Sequence, residues 1–317
     1  MKNKNDGFWT ILCCVTLFCG CILYDFYNRP NNTQARVIGV SSMTLNNPFF
    51  EVINNELKKE TEQKGDQLMI LDPMLSSNRQ EEQIETMIEN KVDAIILNPV
   101  NSATLEDALK KAKDARIPVV VVDSSIQHED LIETTIVSKN YEAGAMCAQA
   151  MMEDLDRGEI LLLEHAQADS GRERIKGFLD AIKDHPEYKV VAREECEGQL
   201  EQAMPKAAEV LSDHPEIDII MCLNDPSALG AAAAAESLNR KDLYIYGVDG
   251  TPDFKSRMTS DPNLKATVAQ SPYTMAKNAI KSAYDLIAGK DVDSLQLVDV
   301  KLIRKENLDD YSLEAWQ

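Results

Sequence analysis

From Arg36 onward the chain alternates two textures. Short apolar runs rich in β-branched residues are each followed by a longer segment whose apolar residues recur every three or four positions. The runs are Val37–Val40, Leu68–Leu71, Ala94–Leu97, Val119–Val122, Ile160–Leu163, Val190–Ala192, Ile217–Leu223, Leu243–Val248, Ala266–Ala269 and Val298–Ile303. They are continuous rather than alternating, which is how strands read when both faces of their sheet are covered.

The intervening segments read as helices. Asn47-Pro48 supplies an N-cap with proline at the first helical position, and Phe50, Ile53 and Leu57 then share one face. A second helix runs through Thr86 and Ile88, and Leu105, Ala108 and Ala112 stripe a third. Two later helices end in nearly the same words, Asp184-His185-Pro186-Glu187 and Asp213-His214-Pro215-Glu216. Proline cannot continue a helix, so each word marks a helix-to-strand corner.

Strands alternating with helices predict parallel sheets with right-handed crossovers. This number of strands suits either a closed barrel or two open sheets. In open sheets, ligands bind beyond the carboxyl ends of the strands, and polar residues collect at those ends. Asn46-Asn47-Pro48-Phe49-Phe50 follows the first run and Asp123-Ser124 the fourth. A loop to Arg172 and Arg174 follows Ile160–Leu163, Asn224-Asp225 follows Ile217–Leu223, Asp249-Gly250 follows Leu243–Val248, and Gln270 follows Ala266–Ala269. Each has an ordinary alternative: Asn47 as a helix cap, Phe49 or Phe50 as core, Asp123, Asn224 and Asp249 as turn residues, the arginines as a solvated helix start. Their recurrence at one edge favours a site. Carboxylates accept, a guanidinium donates in a planar fork, and Asn and Gln do both, which matches sugar hydroxyls that donate and accept. Aromatic rings can cover the apolar face of a sugar ring.

The chain of 317 residues is long enough for two domains. Its net charge of -20 argues against nucleic acid, whose phosphates call for a basic surface. Of seven cysteines, Cys147, Cys196 and Cys222 are widely separated, which reads as buried free thiols rather than as a disulfide framework or metal site. His128, His165, His185 and His214 have no metal-ligand spacing and adjoin no plausible nucleophile, and no Gly-rich phosphate loop is present. No cofactor or enzyme activity is therefore expected. Lys2 and Lys4 precede an uncharged run from Gly7 to Tyr24. The run fits a signal sequence or a short membrane anchor, with the rest of the chain outside the cytoplasm. Phe18-Cys19-Gly20-Cys21 resembles a lipoprotein cleavage box, with Cys21 the residue to be lipidated. Residues 31–35 read as a polar tether.

The words at the strand ends resemble those of the periplasmic sugar-binding proteins, with the ribose-binding type nearest. Thr44-Leu45-Asn46-Asn47-Pro48-Phe49-Phe50 is similar to their first loop. Gly171-Arg172-Glu173-Arg174 with Gly177-Phe178 is similar to the second signature, and Asn224-Asp225 with Ala228-Leu229-Gly230 to the third. Gly247-Val248-Asp249-Gly250-Thr251-Pro252-Asp253 and Ala266-Thr267-Val268-Ala269-Gln270 complete the set, in step from about Arg36 to about Arg304. The resemblance implies an α/β fold of two doubly wound parallel-sheet lobes joined by a three-strand hinge, the periplasmic binding protein-like type I architecture. It divides the chain into a signal or anchor at 1–30, a first lobe of 36–137 plus 271–298, and a second of 138–270 plus 299–317. It implies ligand contacts at Asn47, Phe49, Phe50 and Asp123 from the first lobe, and at Arg172, Asn224, Asp249 and Gln270 from the second lobe or hinge. Ser124 stands where the ribose binders carry Arg, and Val248 where they carry Phe. Those two departures imply a pocket different from that for ribose, suited to another pentose, a hexose, a polyol or a furanose-like molecule. The partner implied is the membrane permease of an ABC transporter, or alternatively a sensor histidine kinase or chemoreceptor.

Overall fold

A computed structural model describes residues 35–317. The expected signal or anchor, Cys21 and all but the last residue of the tether lie outside the described residues. The strands in chain order are β1 Val37–Ser41, β2 Gln67–Leu71, β3 Ala94–Leu97, β4 Val119–Val122, β5 Thr134–Ser138, β6 Gly158–Glu164, β7 Tyr188–Glu195, β8 Ile219–Cys222, β9 Tyr244–Asp249, β10 Leu264–Ala269, β11 Leu295–Val298 and β12 Lys301–Arg304. The helices are α1 Pro48–Gln63, α2 Ser77–Glu89, α3 Glu106–Asp114, α4 Asn140–Asp154, α5 Asp169–Ile182, α6 Leu200–Asp213, α7 Asp225–Ser237, α8 Pro252–Met258 and α9 Pro272–Ile287.

Two six-stranded sheets result, in the orders β11-β5-β4-β3-β1-β2 and β12-β10-β9-β8-β6-β7. The first is parallel throughout, and the second is parallel except for its edge strand β12, which runs antiparallel to β10. The barrel alternative is thereby excluded, and the chain forms two α/β lobes.

The continuous apolar runs are explained by covering on both faces. In β3, Ala94 and Ile96 pack with Ile53 and Leu57 of α1 and Met275 and Ile280 of α9, whereas Ile95 and Leu97 pack with Ile84 of α2 and Leu109 of α3. In β6, Ile160 and Leu162 face α4 and α5, and Leu161 and Leu163 face α6 and α7. Period-two alternation therefore divides each strand between two apolar environments rather than between core and water.

Two details differ from the sequence pattern. β5 carries Thr134 and Thr135 at buried positions, and its polar look hides a strand with no exposed residue. Thr134 is satisfied by donating its hydroxyl to the carbonyl of Asp293 at 2.7 Å. The run Val298–Ile303 is not one strand: it breaks at Asp299 and Val300, where the chain leaves the first sheet as β11 and enters the second as β12. That passage is one of three between the sheets, the others joining β5 to α4 and β10 to α9. Both His-Pro words fall where expected, just after α5 and α6 and before β7 and β8.

Candidate functional site

The carboxyl ends of β1, β3 and β4 in the first lobe face those of β6, β8, β9 and β10 in the second. The lobes touch there. Asn46 Nδ2 donates to Gln199 Oε1 at 3.3 Å, the Ser170 amide donates to Ser124 Oγ at 3.2 Å, and Arg172 Nη2 donates to Ser102 Oγ at 3.1 Å. Between these contacts lies a cavity bordered by Asn47, Phe49, Phe50 and Asp123 from the first lobe and by Arg174, Asn224, Asp249 and Gln270 from the second lobe and its edge.

Local structure fixes each residue. Asn47 caps α1, its Oδ1 accepting the Phe49 amide at 2.9 Å. Cap and cavity-lining residue are thus the same side chain. Asn224 caps α7 in the same way, accepting from the Ser227 amide at 3.0 Å and hydroxyl at 2.7 Å while its Nδ2 donates to the Gly198 carbonyl at 3.0 Å. Phe49 and Phe50 stand edge to face, ring centroids 5.5 Å apart, as the aromatic quadrupole favours.

The two aspartates share an uncommon backbone. Asp123 has φ 66° and Asp249 has φ 139°, both on the left-handed side that costs a residue with a Cβ about 1–3 kcal/mol. Such strain persists only where the surroundings impose it. For Asp249 they are visible: buried Asp225 accepts the Thr251 amide at 2.7 Å and the Thr267 hydroxyl at 2.6 Å, and Thr267 Oγ1 accepts the Gly250 amide at 3.0 Å. Gly250 itself sits at φ 73°, and a Cβ there would meet the Cβ of Ala269 at 2.5 Å. Asp123 is held by Asn98, whose Nδ2 donates to Asp123 Oδ2 at 3.2 Å and whose Oδ1 accepts the Met43 amide at 3.0 Å.

Electrostatically, one guanidinium serves two carboxylates. Arg174 approaches Asp249 at 3.7 Å and Asp123 at 3.9 Å, with all three side chains buried. Its Nε donates to Asn140 Oδ1 at 2.8 Å and its Nη1 to the Leu223 carbonyl at 3.0 Å. Burial pushes the Asp123 carboxyl up to about 6 and the Asp249 carboxyl well above the carboxylate range, against the opposing pull of Arg174. Gln270 Nε2 donates to Asp249 Oδ1 at 2.7 Å, while Gln270 Oε1 is buried without a partner. The site is therefore richer in acceptors than in donors, and hydroxyl donors suit it.

Three residues expected in the site lie beside it. Arg172 is two positions from Arg174 on α5, so the two arginines point about 200° apart at 3.6 residues per turn. Arg174 enters the cavity, whereas Arg172 binds the Ala166 carbonyl at 2.9 Å, Asp169 at 2.6 Å and Ser102 at the seam between the lobes. Ser124 is fully buried with its hydroxyl committed to the Ser170 amide. Val248 packs into the core against Tyr246 and Val268, because strand alternation turns it away from the face that Asp249 presents. It is not among the residues that border the cavity.

The motif words did not single out Asn98, His165 or Gln199, which sit at or beside the cavity. Asn98 and His165 directly follow β3 and β6, a position that the carboxyl-end rule marks. His165 is buried, pairs through Nδ1 with Glu195 Oε1 at 3.1 Å, and keeps Nε2 buried with no partner. Cys147, Cys196 and Cys222 are free and buried, and burial raises each thiol. Among the described residues no cluster of His, Cys, Asp and Glu could hold a metal, and no helix is long and apolar enough to cross a membrane.

The space at the centre of the cavity measures about 30 Å³, room for two or three water-sized groups at about 10–15 Å³ each. Its named bordering side chains are almost wholly buried.

Comparison with known proteins agrees with the fold of two α/β lobes. A family model described as periplasmic binding protein domain matches residues 38–291. A ribose import binding protein of Bacillus subtilis (strain 168) is 33% identical over 277 residues, covering 87% of this chain and 89% of that one. A D-apiose import binding protein of Actinobacillus succinogenes is 28% identical over 275 residues, covering 86% and 89%. The solved structure of an ABC transporter solute binding protein from Bacillus halodurans with bound myo-inositol matches with a TM-score of 0.82 at 26% identity, covering 89% of this chain and 99% of that chain.

Proposed function

The chain belongs to the periplasmic binding protein domain family, whose members bind solutes rather than transform them, and on that premise we propose that it captures a small neutral sugar or polyol between its lobes and delivers it to an ABC-type permease. The observation that carries this reading is the convergence of acceptors from both lobes on one buried cavity, with Arg174 between Asp123 and Asp249. A hydroxylated ligand supplies the donors the two carboxylates lack and can lie against Phe49 or Phe50. Contacts made to both lobes exist only when the lobes meet, so binding stabilises a closed form in proportion to those contacts, with the lobes set far enough apart for a sugar ring, which the space of about 30 Å³ seen here does not admit. The permease partner is supported by relatives that carry import in their names. The apolar run Gly7–Tyr24 would hold the protein at the outer face of the membrane, by lipidation of Cys21 or as an anchor.

Gln270 Oε1 is buried without a partner, and this makes the pocket selective: a ligand with no hydroxyl to donate to it leaves that oxygen unpaired, at about 1–3 kcal/mol. A thermal-shift screen against D-ribose, D-apiose, D-allose, xylitol and myo-inositol tests the proposal. A ligand that binds only the folded protein raises its melting temperature with concentration. No shift from any of these compounds would remove small polyols as the ligand class.

A further inference from the structure

Three covalent passages join the lobes, and the C-terminal segment adds a non-covalent connection to the hydrogen bonds already described between them. The 3₁₀ turn Lys305–Asp310 packs on the second lobe through buried Leu308, and Tyr311 packs against the same core. Next comes a tether point. Lys255, on α8, is fully buried, and its ammonium donates to the carbonyls of Ser312 and Ala315, both at 2.6 Å. A buried ammonium must be satisfied by acceptors, and these two carbonyls fasten the segment to the second lobe.

One residue further, Trp316 leaves that lobe. Its ring packs on the core of the first lobe and meets Phe49 edge-on, with centroids 5.6 Å apart and planes at 63°. Phe49 in turn meets Phe50 and borders the ligand cavity. Trp316 also lines a groove of about 250 Å³ shared by the lobes, with Asn47 and Pro48 on one side and Gly198, Gln199 and Pro252 on the other.

We propose that Trp316 is a positioning residue for the binding site: the segment 311–316 ties the second lobe, through Lys255, to the ring of Phe49 on the first, and so holds the ligand-facing aromatic and slows reopening. This rests on the sugar-binding reading above. An edge-to-face aromatic pair is equivalent to about 2- to 12-fold in an equilibrium constant, and that is the effect to be sought in ligand release.

The test uses the full chain, which has two tryptophans, Trp9 and Trp316. In a Trp9→Phe background, Trp316 fluorescence is followed while D-ribose, D-apiose, D-allose, xylitol and myo-inositol are each added. The expected result is a saturable change in emission with the compound that stabilises the wild type. Trp316→Ala should raise the dissociation rate of that compound about 2- to 12-fold, with the unliganded melting temperature little changed, and Trp316→Phe should recover part of the loss. Lys255→Met, which cuts the tether on the other lobe, should act in the same direction. A tail that serves packing alone would lower the melting temperature of Trp316→Ala and leave its dissociation rate at the wild-type value, and that result overturns the inference while the sugar-binding reading stands. If none of the five compounds binds the wild type, that reading falls and the inference falls with it.

Discussion

Arg174 Nη1 lies 3.7 Å from Asp249 Oδ1, and both side chains are buried. Asp123 stands on the other side of the same guanidinium, at 3.9 Å. Removing the arginine leaves two buried carboxylates without their counter-charge, which costs about 3–5 kcal/mol when a buried pair is broken from one side. Arg174→Ala should therefore lose that much stability in urea unfolding and lose ligand binding. Arg172→Ala removes a half-exposed side chain at the seam and should cost less than about 1 kcal/mol, with binding kept within a few-fold. Equal losses in the two variants would contradict the assignment of Arg174 rather than Arg172 to the site.

Acid should relieve the site in the absence of ligand. Burial raises the Asp123 carboxyl from 3.8 to about 6. Between those values the folded protein holds a proton that the unfolded chain has released, so this group's contribution to stability falls as pH rises through that window. A window of that width corresponds to roughly 3 kcal/mol. Asp123→Asn, neutral at every pH, should be nearly matched to the wild type near pH 4 and gain on it toward pH 7. Urea unfolding at the two ends of the window measures this. Ligand affinity should move oppositely, rising in the wild type as the carboxylate forms.

The helices that carry the arginine are packed with no room to spare. A Cβ added at Gly144 of α4 would overlap the backbone carbonyl of Arg174 on α5. Helix propensity alone favours alanine over glycine by about 1 kcal/mol, so Gly144→Ala would stabilise an unconstrained helix. Here the clash is with backbone, and the expected outcome is a net loss of about 1–3 kcal/mol together with weakened binding, because α5 must shift. Thermal unfolding with and without ligand reads both effects.

His165 offers a finer test. Its Nδ1 faces the acceptor Glu195, which leaves the buried Nε2 as an acceptor beside the cavity. A ligand hydroxyl donating to it would contribute about 0.5–1.5 kcal/mol. His165→Ala should weaken the bound sugar by about 2- to 12-fold and should lose nothing further when the matching deoxy sugar is used. A loss that is the same for parent and deoxy sugar would show that the imidazole acts only through packing.

How far this architecture can be read before folding differs from residue to residue. The two-sided burial of β3 and β6 is legible because both faces demand apolar side chains, so the runs are unbroken. The site edge is legible because Asp123 and Gln270 directly follow strands, Asp249 ends β9 and Asn224 stands two residues after β8. The choice between Arg172 and Arg174 is not legible. Both lie in one motif on opposite sides of α5, and the side that faces the cleft is set by the contact of α5 with Gly144 on a different helix. Val248 misleads for the opposite reason: an aromatic at that position in a relative invites a ligand role, while alternation along β9 buries it here. β5 escapes notice because Thr134 meets its hydrogen-bond acceptor, the Asp293 carbonyl, only once β11 pairs with β5. Trp316 lies beyond the last strand, where no periodicity marks it.

The central claim is that the cavity between Arg174, Asp123 and Asp249 holds the ligand. Isothermal titration of the stabilising sugar or polyol into the wild type and into Asp249→Ala tests it most directly. The account predicts one site per chain, with affinity reduced about 5- to 150-fold in the variant, as expected when a buried hydrogen-bonding partner of the ligand is lost at about 1–3 kcal/mol. Binding of equal strength to both proteins would place the ligand elsewhere and contradict the account.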